Sequence, residues 1–194
     1  MDIDELKQWI GRQERHTDLA TLAPVTGLSA TLDYPQSRAL SGEPIPNLWH
    51  WLYFLPAPAA SQIDVDGHPL RGGFLPPVDL PRRMWAGSKL RFVSPVCVGD
   101  EIEKVSTIKE VSLKNGSSGP LVFVTVQHEI LVGERLAIVE EQNLVYRQRG
   151  SSNTPPAKAA PAVALWSREI TPDPVLLFRY SALTHNSHRI HYDR

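Results

Sequence analysis

Four long segments of β-type sequence follow one another between residues 87 and 149, and they constrain the fold more than any other feature. The segments alternate apolar with polar residues, and turn signals such as Gly99-Asp100 separate them. They read SKLRFVSPVCVGD, EIEKVSTIKEVSLK, PLVFVTVQHEILV and RLAIVEEQNLVYRQR. Each has about 12 residues, which is long for a strand. We therefore predict a strongly curved antiparallel sheet with one solvated face.

The segment before these strands predicts short helices and many loops. Apolar residues recur at helical spacing behind Asp2 and Asp4, so we predict a capped helix to about residue 15. A second amphipathic stretch over residues 18–34 is interrupted at Pro24 and Gly27. The aromatic run PNLWHWLYFLPAP is too short for its periodicity to distinguish a buried helix from a strand. The 17 prolines favour loops and argue against a helical bundle.

A change in composition after the fourth strand predicts a domain boundary. The run GSSNTPPAKAAPA, residues 150–162, has little to bury and is typical of a linker. A new unit then begins with VALWSREIT as a strand and PDPVLLFRYSAL as a short helix, with Pro174 near its first turn. We predict an N-terminal domain over residues 1–149, a linker over 150–162, and the start of a second domain over 163–194.

Charge, hydropathy and cysteine content exclude several classes of function. A net charge of -1 gives no reason to expect nucleic acid as a partner. No stretch approaches the roughly 20 apolar residues that span a bilayer, so we expect no membrane association. The single cysteine, Cys97, excludes an internal disulfide framework and fits a reducing compartment; we expect a small, buried side chain there. The acidic N-terminus is unlike a targeting peptide, so we expect a cytoplasmic protein.

The last residues bring together groups that can move protons. Asn186 and His191 are five residues apart, and on an ideal helix their side chains would diverge by about 140°. They share a site only if the chain leaves regular helix after Leu183, and THNSHRIHYD has the composition of an irregular stretch. Imidazole is a suitable base for water, and a side-chain amide can orient that water. The alternative interpretation is a set of polar residues at the end of a domain.

Three histidines of the same stretch invite a metal interpretation, which we do not adopt. His185, His188 and His191 stand at steps of three residues, so three ligands drift around a helix axis. No cluster of acidic residues or cysteines elsewhere in the sequence complements them, and HxxH alone is a weak signal. We expect no metal site.

A basic, tryptophan-containing stretch is a candidate for binding phosphates. Arg82 and Arg83 stand beside Trp85 in PRRMWAGSKLRF. Adjacent arginines can clamp phosphates, and an indole can stack on a purine. The alternative is arginines on the exposed face of a strand with Trp85 in the core. The sequence has neither GxGxxG nor a P-loop, and no GxSxG elbow supports a serine hydrolase.

The closing stretch YSALTHNSHRIHYD resembles the signature of MaoC-like enoyl-CoA hydratases. The similarity is to the branch that contains hydroxyacyl-thioester dehydratase type 2 and the bacterial mesaconyl-CoA and itaconyl-CoA hydratases. The stretches RGGFLPPVDLPRRMWAGSKLRF, SGPLVFVTVQHEI and EEQNLVYR resemble the N-terminal half of the same branch, so the likeness begins at about Leu48. The resemblance implies an α+β double hot-dog fold, in which curved antiparallel sheets each wrap a helix.

The resemblance also implies an activity and its residues. It implies a hydro-lyase that adds water to the double bond of a short enoyl-CoA, with itaconyl-CoA or mesaconyl-CoA as the expected substrate. Many members have aspartate at the position of Asn186; His191 would exchange the proton, and Asn186 would hold the water. From the residue types themselves we expect Arg189, Arg82 and Arg83 to contact coenzyme A phosphates or a substrate carboxylate, and Trp85 to stack on the purine of coenzyme A. Coenzyme A enters as part of the substrate, and no other cofactor is implied.

Two alternatives remain open at this point. One is a dehydratase of longer, fatty hydroxyacyl thioesters, which needs an apolar tunnel where a carboxylated substrate needs a cation. The other is a module that binds acyl-CoA or dimerises without turnover. In the family, an oxyanion donor comes from a glycine-containing segment downstream of HRIHYD, which this sequence lacks. We therefore expect a truncated second repeat, weak or absent hydration by the chain alone, and either a homo-oligomer or a partner chain that completes the site.

Overall fold

Five antiparallel strands form one sheet in the protein. The structure, a computed structural model, describes residues 2–34, 41–116, 119–148, 159 and 163–192. The strands are β1 (Gln13–Leu19), β2 (Arg82–Phe92), β3 (Glu101–Gly116), β4 (Gly119–Val132) and β5 (Arg135–Arg147), in the spatial order β1-β3-β4-β5-β2. The prediction of four long antiparallel strands is confirmed, except that the first covers Arg82–Phe92 and not residues 88–100, where the chain leaves the sheet before Pro95.

Irregularities in the strand pairing give the sheet its curvature. The register shifts between Trp85 and Gly87 in β2, and between Ile108 and Glu110 in β3. A third shift lies between Ile130 and Leu131 in β4. Each extra residue bends its strand and increases the local twist. Strands of this length can therefore curve around a helix.

The turn before β3 contains the cysteine of the chain. The predicted turn at Gly99-Asp100 is present, with a φ of 100° at Gly99. Asp100 Oδ2 accepts from the backbone N–H of Cys97 at 2.8 Å, and Asp100 N donates back to Cys97 O at 3.1 Å. Cys97 itself is only partly buried, so the prediction of a buried side chain is wrong, because this tight turn keeps it near the surface.

The N-terminal prediction is wrong in one respect, because a strand replaces the second half of the predicted helix. Helix α1 covers only Ile3–Lys7, and Gly11 turns the chain with a φ of 87°. β1 then pairs along β3 as an edge strand. Its sequence, QERHTDL, has almost no apolar residue to alternate, so periodicity could not reveal it.

Helix α2 (Leu22–Thr31) lies against the inner face of the sheet. Pro24 falls in its first turn, where a backbone N–H has no helical partner, so it does not interrupt the helix as predicted. Val25 and Leu28 pack with residues of β3, β4 and β5 in one apolar cluster. The aromatic run, for which the sequence left helix and strand open, forms a 3₁₀ helix over Trp49–Leu52. Its Leu52 joins the same cluster.

A second apolar cluster fills the other end of the same sheet face. Ile108 and Val126, which are opposite each other in β3 and β4, pack there with Leu6 of α1. The remaining buried members are Val78, Leu80, Val111, Val122, Val124 and Tyr146. The sheet therefore has two apolar clusters on one face, each covered by different N-terminal elements.

A row of polar side chains separates the two clusters. Ser106, His128 and Glu140 are opposite one another across β3, β4 and β5, so they share the inner face. Ser106 Oγ lies 2.8 Å from His128 Nδ1, and His128 Nε2 lies 3.4 Å from Gln142 Oε1. We call these four residues, Ser106, His128, Glu140 and Gln142, the polar belt.

Glu140 is the buried charge of this belt, with only 5% of its surface exposed. Its carboxylate accepts hydrogen bonds from Trp51 Nε1 at 2.9 Å and from Ser88 Oγ at 2.6 Å. His50 Nε2 lies 3.6 Å away. Burial raises the pKa of Glu140, but His50, Ser88 and Trp51 lower it more, to about 2 from its ordinary value of 4.5. The folded protein therefore favours the ionised carboxylate.

Acid is expected to destabilise the protein through Glu140. Because the folded-state pKa lies below the unfolded one, the stabilisation is present above about pH 4.5 and is lost as the pH falls toward about 2. The shift corresponds to about 3 kcal/mol of unfolding free energy. Denaturant unfolding between these pH values should show that the unfolding free energy of Glu140→Gln falls less steeply with decreasing pH than that of wild type. The exposed Glu134→Gln is the control, and equal pH slopes in all three proteins would contradict the assignment.

The C-terminal segment consists of helix α3 (Pro174–Leu183) and a 3₁₀ helix (Arg189–His191). The predicted strand over VALWSREIT is wrong: residues 163–171 have no strand partner among the described residues, and a strand needs one. Leu165 and Trp166 are exposed there. The predicted linker, residues 150–162, lies outside the described residues except for Ala159. In the part of the chain that is described, no helix is long and apolar enough to cross a membrane.

Candidate active site

The candidate site begins where helix α3 ends. Asp173 caps the helix by accepting from the N–H of Leu176 at 2.7 Å, and Pro174 follows at the first position. The helix stops at Leu183, and His185 adopts a left-handed conformation with a φ of 48°. The irregular backbone that the sequence predicts after Leu183 is therefore present. We call residues 184–192 the site segment.

The backbone of the site segment brings Asn186 and His191 together. Asn186 Nδ2 lies 3.2 Å from His191 Nε2. The backbone N–H of His188 donates to Asn186 Oδ1 at 3.1 Å, which fixes the orientation of the amide and turns its N–H groups toward the imidazole. Nε2 of His191 then accepts, and the ring proton is on Nδ1. A neutral imidazole with an unprotonated Nε2 can take a proton from water.

A loop that comes just after the aromatic run holds the site segment in place. Residues 62–70 form a tight turn in which Asp64 N donates to His68 O at 2.8 Å. Ser187 Oγ donates to Gly67 O at 2.5 Å, and Arg189 N donates to Asp66 O at 2.9 Å. We call residues 62–70 the clamp loop. Its hydrogen bonds come from residues on both sides of His188, so the loop fixes the backbone between Asn186 and His191.

The clamp loop and the site segment approach each other closely at Gly67. Its φ is 88°, a region that favours glycine, and a Cβ at this position would lie 1.9 Å from Ser187 O and 2.6 Å from Ser187 C. No real side chain tolerates such distances. Only glycine therefore allows the clamp loop to reach the backbone of the site segment.

Histidine rings extend the same contact. His68 stacks on His188 with ring centroids 4.1 Å apart and an angle of 22°, and Asp66 Oδ2 lies 3.1 Å from His68 Nδ1. Partial burial and the neighbouring His68 and His191 lower the pKa of His188, although Asp66 raises it. A neutral His188 is the form that stacks favourably on a second imidazole.

The three residues of this contact also offer donor atoms that a metal could use. Such atoms of Asp66, His68 and His188 lie within 4.8 Å of one another. Imidazole lone pairs lie in the ring planes, and two nearly parallel stacked rings do not direct them at a common point. The cluster is better described as a contact between the clamp loop and the site segment.

A cleft of about 480 Å³ opens beside this contact. Asn186 and His185 line one side of it, and Gly67 and His68 line another. His185 Nδ1 donates to Pro56 O at 2.7 Å, which ties the cleft wall to the segment after the 3₁₀ helix. The cleft is large enough for part of a small-molecule ligand.

The four other predicted site residues separate into different positions. Arg82 and Arg83 are neighbours in β2 and so face opposite sides of the sheet; only Arg83 lines the cleft. Trp85 is 58% exposed, not in the core, and donates to Ser88 Oγ at 3.1 Å. Arg189 donates through Nε to Val65 O at 2.5 Å, so it contributes to the contact with the clamp loop.

The clamp loop is the part of the site that sequence reasoning missed. Asp66-Gly67 is a turn signal in QIDVDGHPL, but a turn signal alone does not indicate a site. The partner of that turn lies 120 residues further along the chain. The missed residues are Pro56, Asp66, Gly67, His68 and Thr184.

Comparison with known proteins gives concordant results. The pattern of the family described as hydroxyacyl-thioester dehydratase type 2 matches residues 48–194. The mesaconyl-C(4)-CoA hydratase of Chloroflexus aurantiacus is 47% identical over 188 residues, which cover 96% of this chain and 67% of that protein. The mitochondrial hydroxyacyl-thioester dehydratase type 2 of Schizosaccharomyces pombe is 28% identical over 204 residues, covering 91% and 68%.

Solved structures share the fold at low sequence identity. The MaoC-like dehydratase from Phytophthora capsici superposes with a TM-score of 0.59 at 13% identity, over 100% of this chain and 67% of that chain. HtdX of Mycobacterium tuberculosis gives 0.56 at 19% identity, over 94% and 64%. The chain thus spans about two thirds of the length of these relatives.

The five-stranded sheet, with helix α2 against its inner face, and the superposition on solved MaoC-like structures together define a MaoC-like hot-dog fold. The chain belongs to the hydroxyacyl-thioester dehydratase type 2 family, which confirms the resemblance seen in the sequence. It is accordingly an enzyme of the hydro-lyase class, a hydratase or dehydratase of acyl thioesters.

Proposed function

We propose that the protein adds water to the double bond of a short, carboxylated enoyl-CoA, with mesaconyl-CoA or itaconyl-CoA as substrate. The observation that carries the proposal is the 3.2 Å contact between Asn186 Nδ2 and His191 Nε2, on a segment matched by the family. The 47% identity to a mesaconyl-C(4)-CoA hydratase supports the choice of substrate.

The chemistry follows from the orientation of these two groups. A water that replaces their direct contact accepts from the Asn186 amide and donates to His191 Nε2. Its oxygen bonds to the β-carbon, the π electrons move toward the thioester carbonyl, and Nε2 takes the water proton. The resulting imidazolium then returns a proton to the α-carbon. An oxyanion donor near the carbonyl contributes a few kcal/mol to such a step.

The remaining site residues have supporting roles in the proposal. Arg83, which lines the cleft, is the arginine best placed to contact a phosphate or the thioester chain. Arg82 and Trp85, on the exposed part of β2, would contact the more distant part of coenzyme A, and Arg189 would keep the site segment on the clamp loop. We further propose a cytoplasmic enzyme that needs no cofactor beyond substrate coenzyme A and works as a homo-oligomer or with a completing chain.

Incubation with three thioesters tests the function. The purified protein is mixed with mesaconyl-CoA, itaconyl-CoA and crotonyl-CoA, and product masses are read. Gain of one water on a carboxylated substrate supports the proposal. Conversion of the uncharged crotonyl-CoA alone would favour the fatty-acid type of dehydratase. Binding of thioesters by a folded protein without any conversion would favour a non-catalytic acyl-CoA module.

A further inference from the structure

A second cavity adjoins the candidate active site on the inner face of the sheet. It has a volume of about 270 Å³ and lies between the polar belt and the segment of residues 50–56. Pro56 and Thr184 line both this cavity and the cleft that contains Asn186. The two spaces are therefore adjacent beside the site segment, with Pro56 and Thr184 between them.

One side of this cavity is polar, whereas the side formed by Phe54, Leu55 and Pro56 is apolar. His128, Glu140 and Gln142 of the polar belt form one side, with Lys104 beside them. A volume of about 270 Å³ and a lining that is polar on one side suit a short acyl group with a polar end.

Lys104 is the ammonium group of this cavity. It is half-buried on β3, and its Nζ lies 5.0 Å from the centre of the Phe54 ring. Within the described residues, no carboxylate lies within 4.0 Å of this ammonium. Burial lowers the pKa of Lys104, and the more distant Glu14, Glu140 and Asp18 oppose this effect. A partly desolvated cation without a close partner is a binding group for an anion.

The other charged group of the cavity is already satisfied. Glu140 accepts from Trp51 and Ser88, and His50 is nearby. Burial lowers the pKa of His128 and so favours the neutral ring, although Gln142 and Glu140 raise it and Lys104 lowers it. The cavity therefore offers one ammonium without a carboxylate of the described residues within 4.0 Å, beside His128, Gln142 and an ionised Glu140 that already accepts two hydrogen bonds.

We propose that this cavity is the acyl subsite and that Lys104 binds the free carboxylate of a dicarboxylic enoyl thioester. This rests on the proposed hydratase function and adds the group that selects its substrate class. The thioester lies in the cleft next to Asn186, and the acyl chain passes Pro56 and Thr184 into the cavity. A substrate without the carboxylate leaves the ammonium unpaired and is disfavoured.

The test compares a carboxylated with an uncharged substrate in Lys104→Met. Loss of the ammonium is expected to lower kcat/KM for mesaconyl-CoA by about 30- to 100-fold, and to change kcat/KM for crotonyl-CoA by less than about 3-fold. Lys114→Met is the matched control, because Lys114 is on the same strand with its Nζ 4.9 Å from the Phe123 ring centre. Lys104→Arg, which keeps the charge, should retain part of the preference.

Several outcomes separate this inference from the proposed function. If wild type has the same kcat/KM for crotonyl-CoA and for mesaconyl-CoA, it is a hydratase without the proposed subsite. Equal losses on both substrates in Lys104→Met, at unchanged melting temperature, would also overturn the role of Lys104. If wild type converts neither substrate, alone or with a completing chain, the proposed function fails, and calorimetric titration decides the subsite. The subsite is supported if wild type binds mesaconyl-CoA more tightly than crotonyl-CoA and Lys104→Met does not. Equal dissociation constants of wild type for the two thioesters would overturn it.

Discussion

Replacement of His191 by alanine is expected to lower kcat for hydration of the preferred thioester by about 10²- to 10⁴-fold. The reason is the state of Nε2, which accepts from Asn186 and has no proton of its own to lose. Without it, no described side chain hydrogen-bonded to Asn186 can take the water proton. Initial rates at saturating substrate measure the effect. KM should change little, because the imidazole acts on the water and not on coenzyme A.

The control for this prediction is His16→Ala. His16 is an exposed histidine of β1 that lies 3.5 Å from Glu14 and does not line the cleft. Its removal should leave kcat unchanged. A His191→Ala protein with more than about a tenth of wild-type kcat would remove His191 from the chemistry, because general acid–base catalysis typically contributes at least 10²-fold.

A methyl group at Gly67 is expected to have a comparably large effect on turnover. Gly67→Ala would place Cβ 1.9 Å from Ser187 O, so the clamp loop or the site segment must move by roughly 1 Å or more. A displacement of that size at a reacting centre costs about 10²-fold in rate. We therefore expect kcat to fall about 100-fold or more while the sheet remains folded. Steady-state kinetics and thermal unfolding of the same preparation measure both quantities.

The control variant Gly42→Ala distinguishes the effect of the close contact at Gly67 from the effect of backbone strain. Gly42 has the same φ of 88°, but nothing lies within 4 Å of the position that its Cβ would occupy. Both substitutions carry the strain of a left-handed residue, about 1 to 2 kcal/mol. Only Gly67→Ala should also lose kcat. Equal kinetic losses in the two variants would show that the clamp loop does not position the site segment.

The long central strands could be predicted from the sequence, and the edge strand could not. β3, β4 and β5 alternate apolar and polar residues because one face of each is buried. β1 lies at the edge, and its QERHTDL gains its conformation from hydrogen bonds to β3 rather than from burial. The predicted N-terminal helix was too long for the same reason. The side chain of Arg15 is hydrogen-bonded to that of Glu103 on β3, which is 88 residues away.

The candidate site was predictable to the extent that it is local. Asn186 and His191 are on one short segment, so the end of a helix was enough to suggest that they converge. Arg82 and Arg83 precede the strand that the sequence predicted from Ser88; β2 begins at Arg82, so the two side chains face opposite sides and cannot clamp one phosphate. The clamp loop and Lys104 come from distant parts of the chain. Hydrogen bonds to residues 120 and 124 positions away hold the clamp loop there, and no local pattern contains such contacts.

The hydrogen bonds between the clamp loop and the site segment have a consequence for the ancestry of such enzymes. The paired residues are 120 or more positions apart, one set in the clamp loop and the other in the site segment. Recombination between relatives at any point between these two stretches would join a loop to a segment that it does not fit. Asp66-Gly67-His68 and the stretch around Ser187 are therefore expected to be inherited as one unit.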